Sequence, residues 1–175
     1  MCDHMMRLLF FVVLVPVVAM AVMFSGCYSF SARTDSQINS VAIPFFENRT
    51  TQFGLSEMLT SEIARAFVED GDLKVVDEHV ADAVLRGSIT KYDVKAAVFD
   101  QTESVSKMRV SITLDITYTN LINNTVVWEQ KGLVKWGEYR LVAEGNEEVE
   151  TEEDGQDEAI QKIVDEIIAR SIETW

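Results

Sequence analysis

The chain is 175 residues long and 47% hydrophobic, with 29 acidic against 15 basic side chains and a net charge of −14. That balance argues against nucleic acid as a partner, because phosphate binding needs clustered cations. Two Cys and two His leave little scope for a thiolate or imidazole metal site.

The head carries Arg7, then an uncharged run from Leu8 to Phe24 that stops at Ser25-Gly26-Cys27. As a helix the run reaches about 25 Å at ~1.5 Å per residue, short of a ~30 Å hydrocarbon core. Its position, basic flank and small terminal residues read as a signal peptide over residues 1–26. Pro16 is tolerated more easily in such a transient segment than in an anchor. A permanent N-terminal membrane helix and a plain secreted protein are the alternatives. Phe24-Ser25-Gly26-Cys27 resembles the lipobox of bacterial lipoproteins, with Phe24 standing where Leu is more usual. The resemblance implies cleavage before Cys27 and acylation of its thiol and new amine. Several acyl chains hold a protein to a membrane where one does not. Residues 27–37 then form a lipidated tether. Cys2 leaves with the leader and Cys27 carries lipid, so no disulfide forms within one mature chain. His79 alone remains, which excludes a Cys/His zinc site and any nucleophile–His pair that does not use it.

Ile38 to Phe46 reads as a first strand ending near Pro44, followed by a loop at Asn48-Arg49-Thr50-Thr51. Leu55, Met58, Leu59, Ile63, Ala66 and Phe67 recur at helical spacing over Leu55 to Glu69, and Gly71 suits a left-handed cap. Leu73 to Val76 is a short strand, so the unit predicts a parallel strand–helix–strand crossover. Ala83 to Val94 alternates, but Tyr92 and Val94 fall on the parity opposite to Leu85 and Ile89, which predicts a bulge near Thr90. Lys107 to Thr119 alternates throughout, with Met108, Val110, Ile112, Leu114, Ile116 and Tyr118 on one side and polar residues on the other. Asn123-Asn124 predicts a two-residue turn into a returning strand, Val126 to Trp136. On that strand Val126, Trp128, Val134 and Trp136 share one parity, and the two Trp are expected in the core, with a binding surface as the alternative.

Glu144 to Glu158 is acidic and reads as a solvated loop. Ala159 to Ile172 is a closing helix with Ile160, Ile163, Val164, Ile167, Ile168 and Ile172 as its apolar stripe. The expected fold class is α+β: a two-layer sandwich with two helices packed on one face of a mixed four- to five-stranded sheet, forming a single domain over 38–175.

Few residues point to chemistry. Placing Gly155 at the sixth position of a calcium loop makes Glu150, Glu152 and Asp154 ligands, but the twelfth position is Gln161 rather than a bidentate Glu. His79 stands in a turn between acids with no imidazole or thiol partner. No motif calls for a metal or a cofactor, and the expected role is not enzymatic. The basic residues of the middle strands are the remaining candidates: Lys107 and Arg109 on one polar face, Lys131 and Lys135 on one parity of the partner strand, Lys91 and Lys95 four apart on the preceding one. Like charges placed together on a sheet are costly unless anions bind there, such as a phosphorylated glycolipid; residue by residue, ordinary solubilising charge alternating with acids is the favoured reading.

Three stretches carry a family resemblance: Cys27-Tyr28-Ser29-Phe30; Val41-Ala42-Ile43-Pro44-Phe45-Phe46-Glu47-Asn48-Arg49-Thr50; and Ala81-Asp82-Ala83-Val84-Leu85-Arg86-Gly87-Ser88-Ile89. With the element order, they make the chain resemble the LptE lipoproteins of the lipopolysaccharide translocon. Tyr28 replaces the Gly often found after the lipidated Cys, and the acidic segment 144–158 matches no family feature. The resemblance implies an outer-membrane lipoprotein on the periplasmic face. Its partners would be an LptD-like β-barrel, whose assembly it assists, and lipopolysaccharide delivered to the outer leaflet. It also makes Lys91, Lys95, Lys107, Arg109, Lys131 and Lys135 candidates for lipopolysaccharide contacts. The Pro-Phe-x-Asn and Ala-Asp-x-Val-Leu-x-Gly patterns recur in CsgG-like envelope lipoproteins, so a secretion-related oligomer is the alternative.

Overall fold

A computed structural model of the chain describes residues 38–99, 105–142 and 148–172. The leader and the tether, with Cys27, lie outside the described residues. The elements in order are β1 (Ser40–Ala42), β2 (Glu47–Asn48), α1 (Leu55–Asp70), β3 (Lys74–Val75), a 3-10 turn (Glu78–Val80), β4 (Ala83–Phe99), β5 (Val105–Asn120), β6 (Thr125–Arg140) and α2 (Glu152–Ile172). They form a two-layer α+β fold with a mixed open sheet in the order β3-β1-β4-β5-β6, in which β2 also pairs with β4. The sheet thus has six strands rather than four or five, because the chain pairs again at Glu47–Asn48, just past the expected end of the first strand.

The break between β1 and β2 follows from Pro44, which has no N–H for a ladder. Ala42 pairs with Val84 and Glu47 with Ser88, so five steps along the first strand match four along β4. The extra residue lets Phe46 turn into the core while Phe45 stays 74% exposed. Phe46 lies across Gly87, where an added Cβ would come within 2.0 Å of its ring. α1 satisfies its backbone: the Phe46 N–H donates to Thr60 Oγ1 at 3.1 Å, and the Ser56 hydroxyl donates to Phe46 O at 2.5 Å. Asn48 Oδ1 then accepts the Thr50 N–H and hydroxyl at 2.9 and 2.8 Å, closing the loop before α1.

Leu55, Leu59, Ile63 and Phe67 of α1 are buried, and Gly71 ends the helix in the left-handed region at φ 80°. β1 and β3 are parallel neighbours, as the crossover predicts. Asp82 fastens the start of β4 to β1. Its Oδ2 accepts the Asn39 N–H at 2.9 Å and the Ser40 hydroxyl at 2.8 Å, while Ser40 Oγ accepts the Asp82 N–H at 3.0 Å. The bulge in β4 falls where the phase change puts it, since Ile89 faces Leu114, Lys91 faces Thr113, and Thr90 is the extra residue. Four residues, Leu121 to Asn124, turn β5 into β6 rather than two. Asn120 Oδ1 accepts the Ile122 N–H at 2.8 Å and organises this wider turn, which Asn124 completes at φ 55°.

The closing helix begins at Glu152, so residues 152–158 of the expected acidic loop are helical. A reciprocal cap accounts for this: the Thr151 N–H donates to Asp154 Oδ2 at 2.7 Å, and the Asp154 N–H donates to Thr151 Oγ1 at 3.4 Å. Carboxylates in a first turn also suit the positive end of the helix dipole. α2 lies so close to β6 that a Cβ on Gly137 would come within 2.1 Å of Gly155 O. Ala159, Ile160, Ile163, Val164 and Ile167 complete the core against Val110, Ile112, Leu114, Ile116 and Tyr118 of β5.

Candidate functional site

Both helices cover one face of the sheet, and the alternation of β5 makes the opposite face polar. Lys107, Arg109, Ser111, Thr113, Asp115, Thr117 and Thr119 are half-buried there, while Val110, Ile112, Leu114, Ile116 and Tyr118 are buried under the helices. Cross-strand register extends this far face. On β4, Lys91 stands opposite Thr113, Asp93 opposite Ser111 and Lys95 opposite Arg109. On β6, Trp136 stands opposite Ser111, Glu138 opposite Arg109 and Arg140 opposite Lys107.

Four of the six basic candidates, Lys91, Lys95, Lys107 and Arg109, therefore share one end of the far face. Acids stand between them. Asp93 takes Lys95 at 2.6 Å and Lys91 at 3.8 Å, and the Lys95 hydrogen bond first of all holds its carboxyl below the usual range. Arg109 reaches Glu138 at 2.6 Å, and Arg140 reaches Glu150 at 2.5 Å. Among the described residues, no carboxylate lies within ion-pair distance of Lys107. Lys95 opposite Arg109 and Lys107 opposite Arg140 are like-charge cross-strand pairs, a repulsion that Asp93, Glu138 and Glu150 offset in part.

The other two candidates are elsewhere. Lys131 lies in a bulge of β6 and pairs with Glu129 at 3.2 Å. Lys135 is on the helix side, opposite Ile112, and pairs with Glu166 of α2 at 3.1 Å. Arg170, then Lys135, holds the Glu166 carboxyl below its ordinary value. Lys135 thus belongs to the packing of α2, not to the cation cluster.

The same bulge overturns the expectation for Trp136. Leu114 faces Leu133 and Ile116 faces Gln130, so Lys131 and Gly132 together oppose Asp115. Gly132 adopts φ 63°, open to glycine at little cost, and its N–H donates to Asp115 Oδ1 at 2.7 Å. One inserted residue reverses the parity of the rest of β6. Trp128 stays on the helix side with its ring centroid 6.0 Å from that of Tyr118, whereas Val134 and Trp136 are moved to the far face. Trp136 is 41% exposed, with the Arg109 guanidinium 4.1 Å and the Lys162 ammonium 4.3 Å from its ring centroid. The isolated Gly within a strand pattern is the signal that marks this reversal.

Glu150, Glu152 and Asp154 do not converge. Glu150 holds Arg140, Glu152 accepts the Tyr92 hydroxyl at 2.8 Å, and Asp154 caps α2. Burial, followed by the Glu152 hydrogen bond, pushes the Tyr92 hydroxyl pKa upward. His79 is exposed in the 3-10 turn.

A helix layer backing a sheet whose far face carries cations, hydroxyls and an exposed indole defines a small two-layer α+β domain. The family model described as LptE, Lipopolysaccharide-assembly, matches residues 38–171. The chain belongs to this family of lipopolysaccharide-assembly proteins. Comparison with curated proteins found no match. Among solved structures, the chain is similar to a hypothetical protein from Chlamydia trachomatis at 13% identity and TM-score 0.54, covering 77% of this chain and 95% of that one. A protein from Xanthomonas campestris is 16% identical with TM-score 0.50, covering 77% and 83%. The rare lipoprotein B from Shewanella oneidensis is 13% identical with TM-score 0.44, covering 77% and 96%. At these identities the first two likenesses speak for the fold alone.

Proposed function

We propose that the chain is a lipid-anchored partner of an LptD-like β-barrel at the periplasmic face of the outer membrane. It assists assembly of that barrel and delivery of lipopolysaccharide to the outer leaflet, a binding role rather than a catalytic one. Family membership supports the lipopolysaccharide link. The observation that carries the rest is the far face: a polar sheet surface that the two helices leave open, on an otherwise strongly acidic chain, with Lys91, Lys95, Lys107 and Arg109 gathered at one end. A rigid two-layer domain with such a face suits a wet barrel lumen, and the cations suit the phosphates of a glycolipid. Cys27 is the anchor in this reading, and residues 27–37 are the tether.

Depletion of the chain in cells tests the reading. The expected result is less assembled barrel and less lipopolysaccharide at the surface; unchanged levels of both defeat it. At the site, the Lys107→Glu, Arg109→Glu double variant is expected to lower capture of lipopolysaccharide by the purified full chain about tenfold or more at low salt. The difference should shrink as salt screens the charges. Equal capture by the two proteins removes the far-face cations from the account.

A further inference from the structure

The far face has a second feature, separate from the cations. Where the chain leaves β4 between β1 and β2, Pro44 and Phe45 form a wall. An open depression of about 440 Å³ lies between this wall and Asp115 and Thr117 of β5, with Arg86, Gly87 and Ser88 beneath it. Along β5, Asp115 is about 26 Å from Lys107 at ~3.3 Å per residue.

The chemistry of the groove differs from that of the cluster, because its charges are already matched. Arg49 pairs with Glu47 at 2.8 Å, Arg86 pairs with Glu78, and Asp115 accepts the Gly132 N–H. A phosphate site keeps cations available, and a metal site gathers carboxylates; this groove does neither. Register sets Glu47, Ser88 and Asp115 in one row across β2, β4 and β5. The Arg49 hydrogen bond holds the Glu47 carboxyl low, and Ser88 Oγ is buried in this row without a hydrogen-bond partner among the described residues. Beside this row Phe45 holds a ring in solvent although its neighbour Phe46 is 2% exposed.

Paired acceptor and donor forks, the Thr117 hydroxyl and an exposed aromatic ring fit a neutral, polyhydroxylated ring. Its C–H face stacks on the phenyl group, and its vicinal hydroxyls bridge carboxylate and guanidinium. We propose that the groove walled by Phe45 binds a neutral saccharide unit. The proposal rests on the lipopolysaccharide-assembly reading for the source of the sugar, and it gives the far face two stations, one for sugar and one for anions.

The test uses the full chain in detergent and a lipid-free, dephosphorylated core oligosaccharide, followed by saturation-transfer NMR of the sugar protons. Binding is expected for the unaltered chain, and Phe45→Ala should weaken it about tenfold, as loss of one aromatic anchor does. Thr117→Val, on the opposite wall, should also weaken it, whereas Lys74→Ala, at an exposed position of β3, should leave it unchanged. No saccharide signal, or a signal indifferent to both groove substitutions, overturns the proposal. If the chain still captures a barrel while the sugar fails to bind, only the groove is lost; failure of barrel capture strikes the broader reading instead.

Discussion

Gly87 and Phe46 show how much of the fold rests on single contacts. The ring of Phe46 fills the space that a side chain at 87 would occupy, and α1 supplies both of its backbone partners. Gly87→Ala is therefore expected to cost about 2 kcal/mol or more by overpacking, measured by chemical denaturation. Adding Phe46→Leu should recover part of that loss; strictly additive losses would contradict the contact. Asp82 is the second such residue. The Asn39 N–H first, then Ser40, holds its carboxyl below the ordinary 3.8. A carboxyl lowered by folding adds stability above its unfolded value and loses it as pH falls through the folded one. Asp82→Ala should cost about 1 kcal/mol at neutral pH, discounted for its exposure to solvent, and the gap between variant and parent should close as the pH drops below 3.8. A gap that persists into acid would assign the loss to something other than the ionised carboxylate. Both residues stand in stretches that carry the family resemblance, so those motifs have physical reasons: a glycine for a crossing ring, and an aspartate that binds two strand starts.

Elements were legible where one face is buried along their whole length. The alternation of β5 and the three- and four-residue spacing of α1 declare their burial outright, and even the bulge at Thr90 shows as a change of phase. Three features were less legible. Pro44 marked an end to the first strand but not its resumption as β2. The bulge at Lys131–Gly132 inserts one residue into a strand with too few apolar positions to betray the reversal, which is why Trp136 was expected inside and Lys135 beside Lys131. The first turn of α2 is dense in acids, and that composition reads as a loop unless Thr151-x-x-Asp154 is recognised as a cap. Two expectations at this scale follow. Thr151→Ala should cost about 1 kcal/mol and speed amide exchange over the first turn of α2 while sparing β5; unchanged exchange would contradict the cap. Gly132→Ala should cost about 1 kcal/mol through its left-handed backbone, read as a fall in Tm.

At the scale of the molecule, the two layers differ in charge. α1 and α2 carry eleven acids against three bases, whereas the far face of the sheet gathers cations that acids only partly offset. Register brought four of the six basic candidates together and separated Lys131 and Lys135, something that linear spacing could not decide. The proposed lipid tether and barrel partner rest on Cys27, the leader and the family, and the polar sheet face is the structural feature offered beside them. Capture of the full, tagged chain from detergent-solubilised envelopes tests the central claim most directly. The account predicts recovery of one large β-barrel of the LptD class in a stable, stoichiometric complex that survives washing in salt. Recovery of the chain alone, or only as an oligomer of itself, would contradict it.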